Sequence, residues 1–210
     1  DIVDIAEVQN MAQSALDLYG RIDILFNNAG IGRVDWFENH ALERDINTLV
    51  QVNLIALMQV TREVLPHMLA RGEGHIINMV SVAGLMAPPL IASYSASKFG
   101  ARAFTDSLRR EVAPFGVRVS GIYPGPASTE FGRHIGNNKA YRSISSRFRV
   151  HMTSQYVARR VLEVAKRPRR SLIFPWWFRV LFIFDTLFPS VMDWVYYLLV
   201  RKYHILSEEN

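Results

Sequence analysis

The sequence predicts an α/β fold in which helices cover both faces of a doubly wound parallel sheet. Three runs of buried-strand character, residues 22–27, 75–80 and 117–122, alternate with segments of helical periodicity, and a short fourth run follows at 171–174. The first three runs lead into turns of small residues, Asn, Gly or Pro, as strands do before a crossover helix. This alternation of strand and helix favours a parallel sheet.

Helices are expected between these runs. Residues 4–19 carry apolar side chains at helical spacing, and Gly20 ends the segment. The sequence predicts further helices at 41–70, 93–114 and 153–166, and an irregular segment at 124–150.

The composition indicates a globular protein and argues against several classes of binding site. The 210 residues are 50% hydrophobic and 20% charged, which suits one globular domain with a sizeable core. The chain has no cysteine, so disulfides and cysteine metal sites are excluded, and its six histidines form no paired motif that would predict a metal. The net charge of +5 is spread along the chain apart from residues 166–170, interpreted as a solvated turn, so we predict no nucleic-acid partner.

Tyr94 and Lys98 are the pair that most directly indicates chemistry. Four residues apart on a helix, they share one face. A free phenol has a pKa near ~10 and needs a fixed cation to exchange protons at neutral pH, which Lys98 can provide. The structural alternative is an ordinary amphipathic helix, and the pair alone does not decide between the two.

Further motifs stand at regular distances from this pair. Ser81 ends a strand thirteen positions before Tyr94, the turn at 27–30 reads Asn-Asn-Ala-Gly, Asn53 lies on the long helix, and residues 124–129 read Pro-Gly-x-x-x-Thr. Together these motifs resemble the classical short-chain dehydrogenase/reductase family, in family order from residue 1 to about 130. The resemblance implies a Rossmann-like fold and an oxidoreductase that uses NAD or NADP.

The resemblance also assigns roles to single residues. Tyr94 would be the acid/base, and Lys98 would lower the pKa of Tyr94 and bind the nicotinamide ribose. Ser81 would hold the substrate oxygen, and Asn53 would hold a water that relays protons to Lys98. For Ser81 the structural alternative is a turn cap, and for Asn53 it is a surface residue. The implied cofactor-binding residues are Asp1, Asn27, Asn28, Ala29, Gly30, Tyr94, Lys98, Pro124, Gly125 and Thr129.

One family element is absent from the sequence. The family opens with a strand and a Gly-rich turn that binds pyrophosphate at a helix N-terminus, and no such run occurs here. We therefore expect about 60 to 70 residues, roughly two βα units, to precede Asp1. The strands present would be strands 4 to 7 of the family order 3-2-1-4-5-6-7, leaving an apolar edge. The residues that choose between NAD and NADP would lie upstream.

Three functions compete at this point. The first is an oxidoreductase that interconverts an alcohol and a ketone or aldehyde. Its substrate would be hydrophobic, because the expected pocket is lined by Leu85, Met86, Leu90, Ile91 and Phe131. The second is a sugar-nucleotide epimerase or dehydratase of the extended family, which normally has a larger C-terminal domain. The third is a non-catalytic dinucleotide sensor or interaction module. Family members commonly pair through two long helices, so a homodimer or homotetramer is expected.

The C-terminal segment differs in character from residues 1–175. Residues 176–210 form a hydrophobic helical extension in which Arg179, Asp185 and Asp193 interrupt the apolar run and Pro189 begins a second helix. The segment is expected to lie in a membrane interface and to be drawn to anionic lipid rather than to cross a bilayer. The alternatives are a lid over the substrate pocket or a dimer contact. We expect a cytoplasmic protein with peripheral membrane contact.

Overall fold

The computed structural model describes residues 1–127 and 152–208, with side chains up to residue 202. Within these residues the strands form one parallel sheet whose order in space follows their order in the chain. The α/β prediction is therefore confirmed. The strands are β1 (Ile24–Asn27), β2 (Gly74–Met79), β3 (Val117–Pro124) and β4 (Ser171–Phe174).

Helices separate the strands and extend beyond them. Asp4 caps the first helix, where its Oδ1 accepts hydrogen bonds from the backbone N–H groups of Ala6 and Glu7. Gly20 ends that helix in the left-handed conformation, with φ of 70°. The helices are α1 (Ile5–Tyr19), α2 (residues 42–71), α3 (Ala92–Val112), α4 (Ser154–Lys166), α5 (Trp177–Leu187) and α6 (Pro189–Glu208).

Helix α2 has the predicted extent but not a regular interior. Its first half contains two π-helical stretches, Leu42–Asn47 and Gln51–Ile55, and it becomes regular only over Ala56–Arg71. Wide turns of this kind are rare and occur frequently at functional sites. The second one carries Asn53.

Each face of the sheet has its own hydrophobic core, because successive side chains of a strand point to opposite faces. Ile76 and Val119 pack with α1, α2 and α3 on one face. Ile77 and Ile122 pack with α4 on the other. Helices on both faces are what the doubly wound prediction requires.

Strand β1 forms an edge of the sheet. Among the described residues it pairs with β2 alone, and its side chains Ile24 and Phe26 are 46% and 40% exposed. This is the apolar edge that the sequence predicts.

Helices α5 and α6 meet at a sharp bend, and Pro189 is the first residue of α6, as predicted. In the part of the chain that the structure describes, no single helix is long and apolar enough to cross a membrane. Only the pair Trp177–Leu187 and Pro189–Lys202, bent by 109°, meets that criterion of length and composition. The division of the chain at residue 175 stays a prediction.

Two glycines with positive φ provide a stability test of the fold. Gly116, with φ of 79°, leads into β3, and a Cβ built there would overlap the carbonyl oxygen of Gly72. Gly20 has a similar φ but nothing within 4 Å of a built Cβ. We expect Gly20→Ala to lower the free energy of unfolding by about 1–2 kcal/mol, the strain of the left-handed backbone, and Gly116→Ala to lower it by clearly more. Urea denaturation measures both, and equal losses would contradict this packing.

Candidate active site

The candidate residues gather at the carboxyl ends of the parallel strands, where open α/β sheets bind ligands. The turn at residues 28–30 follows β1, Ser81 follows β2, and Pro124 ends β3. Tyr94 and Lys98 lie on α3, and Lys98 contacts the end of β2 at this edge.

Lys98 is buried, with 4% of its surface exposed. Its Nζ donates a hydrogen bond to the backbone carbonyl of Met79, the last residue of β2, at 3.2 Å. An ammonium has three donors, and Met79 O is its single hydrogen-bond acceptor among the described residues. Burial lowers the pKa of Lys98 to about 8, because an apolar environment disfavours the charged form.

Tyr94 is half-buried beside this amine. The Nζ of Lys98 lies 5.8 Å from the centroid of the Tyr94 ring. The ring packs against an apolar cluster that contains Val34, Leu90 and Ile91. The predicted pair therefore shares one environment, with a cation near the phenol and apolar side chains around it.

Ser81 has an unusual backbone conformation at the end of β2. Its φ of 145° and ψ of 158° fall in a region that residues other than glycine rarely adopt, at a cost of about 1–3 kcal/mol. Its Oγ accepts a hydrogen bond from the N–H of Ala83 at 3.1 Å, capping the turn Val82–Gly84. A hydroxyl that accepts one such bond keeps its proton for another acceptor. The cap alternative and the substrate-binding role are thus compatible.

The turn after Ser81 is pressed against α3. A Cβ built at Gly84 would lie 2.6 Å from the backbone oxygen of Lys98. Only glycine permits this approach, which brings the end of β2 close to the helix that carries Tyr94 and Lys98.

Asn53 connects the turn after β1 to α3. It is fully buried, its Oδ1 accepts the N–H of Ile31 at 2.9 Å, and its Nδ2 donates to the carbonyl of Ile31 at 2.8 Å. The same Nδ2 donates to Ser97 Oγ at 3.1 Å, and Ser97 donates to the backbone carbonyl of Tyr94 at 2.7 Å. The surface alternative for Asn53 is excluded, whereas the water relay stays a prediction.

Ser97 also belongs to the hydrogen-bond network of the site, although the sequence did not point to it. Its position one residue before Lys98 and three after Tyr94, on a helix, is the signal that could have found it. The side chain is buried and connects Asn53 to the Tyr94 carbonyl.

Gly30 is a point where the turn lies near the amine. A Cβ built at Gly30 would lie 3.0 Å from Asn53 Oδ1 and 3.4 Å from Lys98 Nζ. The neighbouring Asn28 and Ala29 are exposed at this edge. A glycine in contact with a buried amine leaves room for a ligand to reach both the main chain and Lys98.

Asn27, predicted to bind the cofactor, uses its side chain inside the fold. Its Nδ2 donates to Asn78 Oδ1 at 2.9 Å and to Thr61 Oγ1 at 3.0 Å. Asn78 in turn donates to Thr105 Oγ1 at 2.9 Å. These bonds join β1, β2, α2 and α3, so the side chain has a structural role, and cofactor binding through the Asn27 backbone stays a prediction.

Four predicted cofactor residues remain, and the first of them, Pro124, is the last residue of β3. Gly125 donates its N–H to Phe174 O at 2.9 Å, and a Cβ there would overlap the ring of Phe178 in α5. Asp1 lies before α1, where its Oδ1 accepts the N–H of Val3 at 3.0 Å, and no described contact joins it to Lys98. Thr129 lies outside the described residues.

The expected substrate lining is only partly at the site. Leu90 and Ile91 pack with Tyr94, as does Trp36. Leu85 and Met86 are instead buried under α5 against Phe178, because that helix covers the carboxyl end of the sheet. Phe131 lies outside the described residues.

The chemistry of the site fits a dinucleotide better than a metal. Within residues 1–127 and 152–202, no group of three or more His, Cys, Asp or Glu side chains is placed to hold a metal ion. The small residues of the turn and the spare donors of Lys98 suit a ligand with hydroxyl groups that passes close to the main chain.

The chain is similar to known proteins in both sequence and structure. A model of the short chain dehydrogenase family matches residues 1–140. Ketoacyl reductase HetN of Nostoc sp. is 39% identical over 128 residues, covering 61% of this chain and 44% of HetN. Dehydrogenase/reductase SDR family protein 7-like of Anopheles gambiae is 33% identical over 198 residues, covering 93% of this chain and 62% of that protein. The chain thus spans about half the length of these relatives.

Solved structures have the same architecture. A gluconate 5-dehydrogenase from Burkholderia cenocepacia, in complex with NADP and tartrate, is 35% identical with a TM-score of 0.62, covering 67% of this chain and 55% of that one. A short chain dehydrogenase/reductase from Burkholderia phymatum, in complex with NAD, is 25% identical with a TM-score of 0.79, covering 91% of this chain and 75% of that one.

The bonds of Asn53 predict a specific loss of stability. Asn53→Ala leaves the partly buried N–H and C=O of Ile31 without their partners, so the free energy of unfolding should fall by about 1–3 kcal/mol. Asn28→Ala, a matched change at an exposed position nearby, should change it by less than about 0.5 kcal/mol. Urea denaturation of both variants is the measurement, and an Asn53→Ala protein as stable as Asn28→Ala would refute this role.

Proposed function

The chain belongs to the short-chain dehydrogenase/reductase family, and we propose that the protein carrying it is an NAD(P)-dependent oxidoreductase that interconverts an alcohol and a ketone or aldehyde. The chain spans only part of the length of its relatives, so the activity is proposed for the intact protein that contains it. The residues assigned to the reaction are Ser81, Tyr94 and Lys98, with Asn53 in support.

The buried amine of Lys98 beside Tyr94 is the observation that carries this proposal. Its pKa of about 8 leaves the amine mainly protonated at neutral pH. A positive charge in an apolar environment stabilises a nearby phenolate more strongly than the same charge in water. Tyr94 can therefore exchange a proton at a pH where a free phenol would not.

Each residue has one task in the proposed reaction. In reduction, Tyr94 donates a proton to the carbonyl oxygen of the substrate, and the Ser81 hydroxyl donates a hydrogen bond to the same oxygen. In oxidation, the Tyr94 phenolate removes the proton of the alcohol. Lys98 holds its charge near the phenol throughout. A nicotinamide cofactor supplies or accepts the hydride when bound.

The cofactor would be held at the turn after β1. The main chain at Gly30 and the spare donors of Lys98 Nζ form the contact surface, and Asn28 and Ala29 border it. The complexes of the two Burkholderia proteins with NADP and NAD support a dinucleotide, without preference for either. Asp1, Pro124, Gly125 and Thr129 remain proposed contacts by resemblance.

The substrate is proposed to be a hydrophobic alcohol or carbonyl compound. Val34, Leu90 and Ile91 pack at the Tyr94 ring. A polyhydroxylated substrate would need polar partners at that place, whereas an apolar one is stabilised by the same side chains.

We further propose that the protein self-associates. We infer a homodimer or homotetramer formed through α2 and α3, since family members commonly pair through the corresponding helices. We propose a cytoplasmic location.

Replacing the phenol tests the assignment directly. Tyr94→Phe removes the proton donor and keeps the ring, so kcat should fall by about 10²- to 10⁴-fold while the Kd for NADH or NADPH changes little. Steady-state kinetics on a panel of hydrophobic ketones and alcohols and a fluorescence titration of the cofactor measure the two quantities. Tyr19→Phe, which removes an exposed phenol on α1, is the matched control and should retain full activity. Near-parental turnover in Tyr94→Phe would exclude Tyr94 as the acid/base.

The pKa of Lys98 predicts the pH dependence of reduction. The amine is charged below about pH 8 and neutral above it, so kcat/KM for reduction should be level below that pH and fall as the pH rises through it. Lys98→Arg keeps the charge at every accessible pH, so the fall should move upward even if the planar guanidinium lowers the absolute rate. A fall at the same pH in both proteins would show that another group titrates.

A further inference from the structure

Helix α5 is apolar on its outer face as well as on its inner face. The inner side packs Phe178 into the core with Leu181 and Phe182 beside it. Five outer side chains follow one another at helical spacing and form one stripe along the helix. They are 39% to 75% exposed: Trp176, Val180, Ile183, Phe184 and Leu187.

Helix α6 repeats this arrangement. Met192 is buried, whereas Val191, Trp194 and Leu198 are exposed on one side of the helix. The two stripes join at the bend, where the exposed rings of Phe184 and Phe188 lie 5.1 Å apart between centroids. We call the two joined stripes the docking face. A contiguous exposed apolar surface on a soluble protein marks an interaction site.

The basic and acidic residues of these helices occupy different places relative to the docking face. Arg179 lies in the first turn of α5, and Arg201 and Lys202 follow the stripe of α6. All three are exposed, and none forms an ion pair with a described side chain. The two acids among the described side chains of these helices, Asp185 and Asp193, lie off the docking face. Asp193 lines a groove of about 670 Å³ between α3 and α6, and Asp185 is half-buried.

We propose that the docking face binds the interface of an anionic lipid bilayer. Tryptophans on both stripes, cations at the ends and acids turned away are the pattern of helices that lie in a membrane interface. A second copy of the chain would bring the same cations together at the ends of the stripes, whereas anionic headgroups neutralise them. The proposal is independent of the catalytic one.

Vesicle flotation of the intact protein tests the proposal. At low salt the protein should float with vesicles of phosphatidylcholine and phosphatidylserine, stay in solution with phosphatidylcholine alone, and be released by high salt. Brominated lipid should quench its tryptophan fluorescence, and the double variant Trp176→Phe and Trp194→Phe should lose that quenching.

Matched variants locate the binding surface. Leu187→Asp with Trp194→Asp should abolish flotation, whereas Leu18→Asp with Phe115→Asp, at equally exposed positions elsewhere, should not. Arg201→Gln with Lys202→Gln should weaken binding about 25-fold, or about fivefold per cation. Arg118→Gln with Arg159→Gln removes the same charge at other exposed positions and should weaken binding clearly less. Thermal unfolding confirms that each variant is folded.

Three results would overturn the proposal. The first is a protein that stays in solution with anionic vesicles at low salt. The second is a dimer by light scattering that Leu187→Asp dissociates, which assigns the face to a second copy. The third is binding that resists high salt and carbonate, which indicates helices buried in the bilayer rather than lying on it.

Discussion

The arrangement of the site depends on the hydrogen bonds of one buried amide. Asn53 holds the backbone of Ile31 through both of its polar ends and reaches α3 through Ser97. The turn after β1 and the helix carrying Tyr94 are thereby held together at a place where three elements meet. A buried amide must satisfy its hydrogen bonds, so its partners have little freedom to move. The π-helical stretch around Asn53 is the local irregularity that accompanies this arrangement.

The same geometry makes the buried charge of Lys98 useful. Burying an amine lowers its pKa because the charged form loses hydration, and the Met79 carbonyl is the described acceptor that offsets part of this cost. Gly84 allows the turn after β2 to approach the backbone of α3 more closely than any side chain would permit, and Gly30 leaves the space between the turn after β1 and the amine unfilled. A cation is thus held beside a phenol in apolar surroundings, which is the condition for proton transfer near neutral pH.

Helix α5 links the candidate active site to the C-terminal helices. Its Phe178 packs against Gly125 at the end of β3 and against Leu85 and Met86 after β2. The helix therefore covers the edge of the sheet where the candidate catalytic residues lie, and its outer face forms part of the docking face. If that face rests on lipid, the edge of the sheet that carries the candidate site lies near the membrane surface.

The sequence by itself determined the fold class, the strand positions to within a few residues, and the pairing of Tyr94 with Lys98. These features depend on local periodicity and on spacing within one helix, which a chain carries without reference to its neighbours. Only the tertiary structure decided that the Asn27 side chain binds Asn78 and Thr61, that Asn53 binds Ile31, and that α5 buries Leu85 and Met86. It also decided the 109° bend between α5 and α6. Each of these depends on contacts between segments far apart in the chain, and no local pattern encodes which partner a buried amide or an apolar side chain will meet.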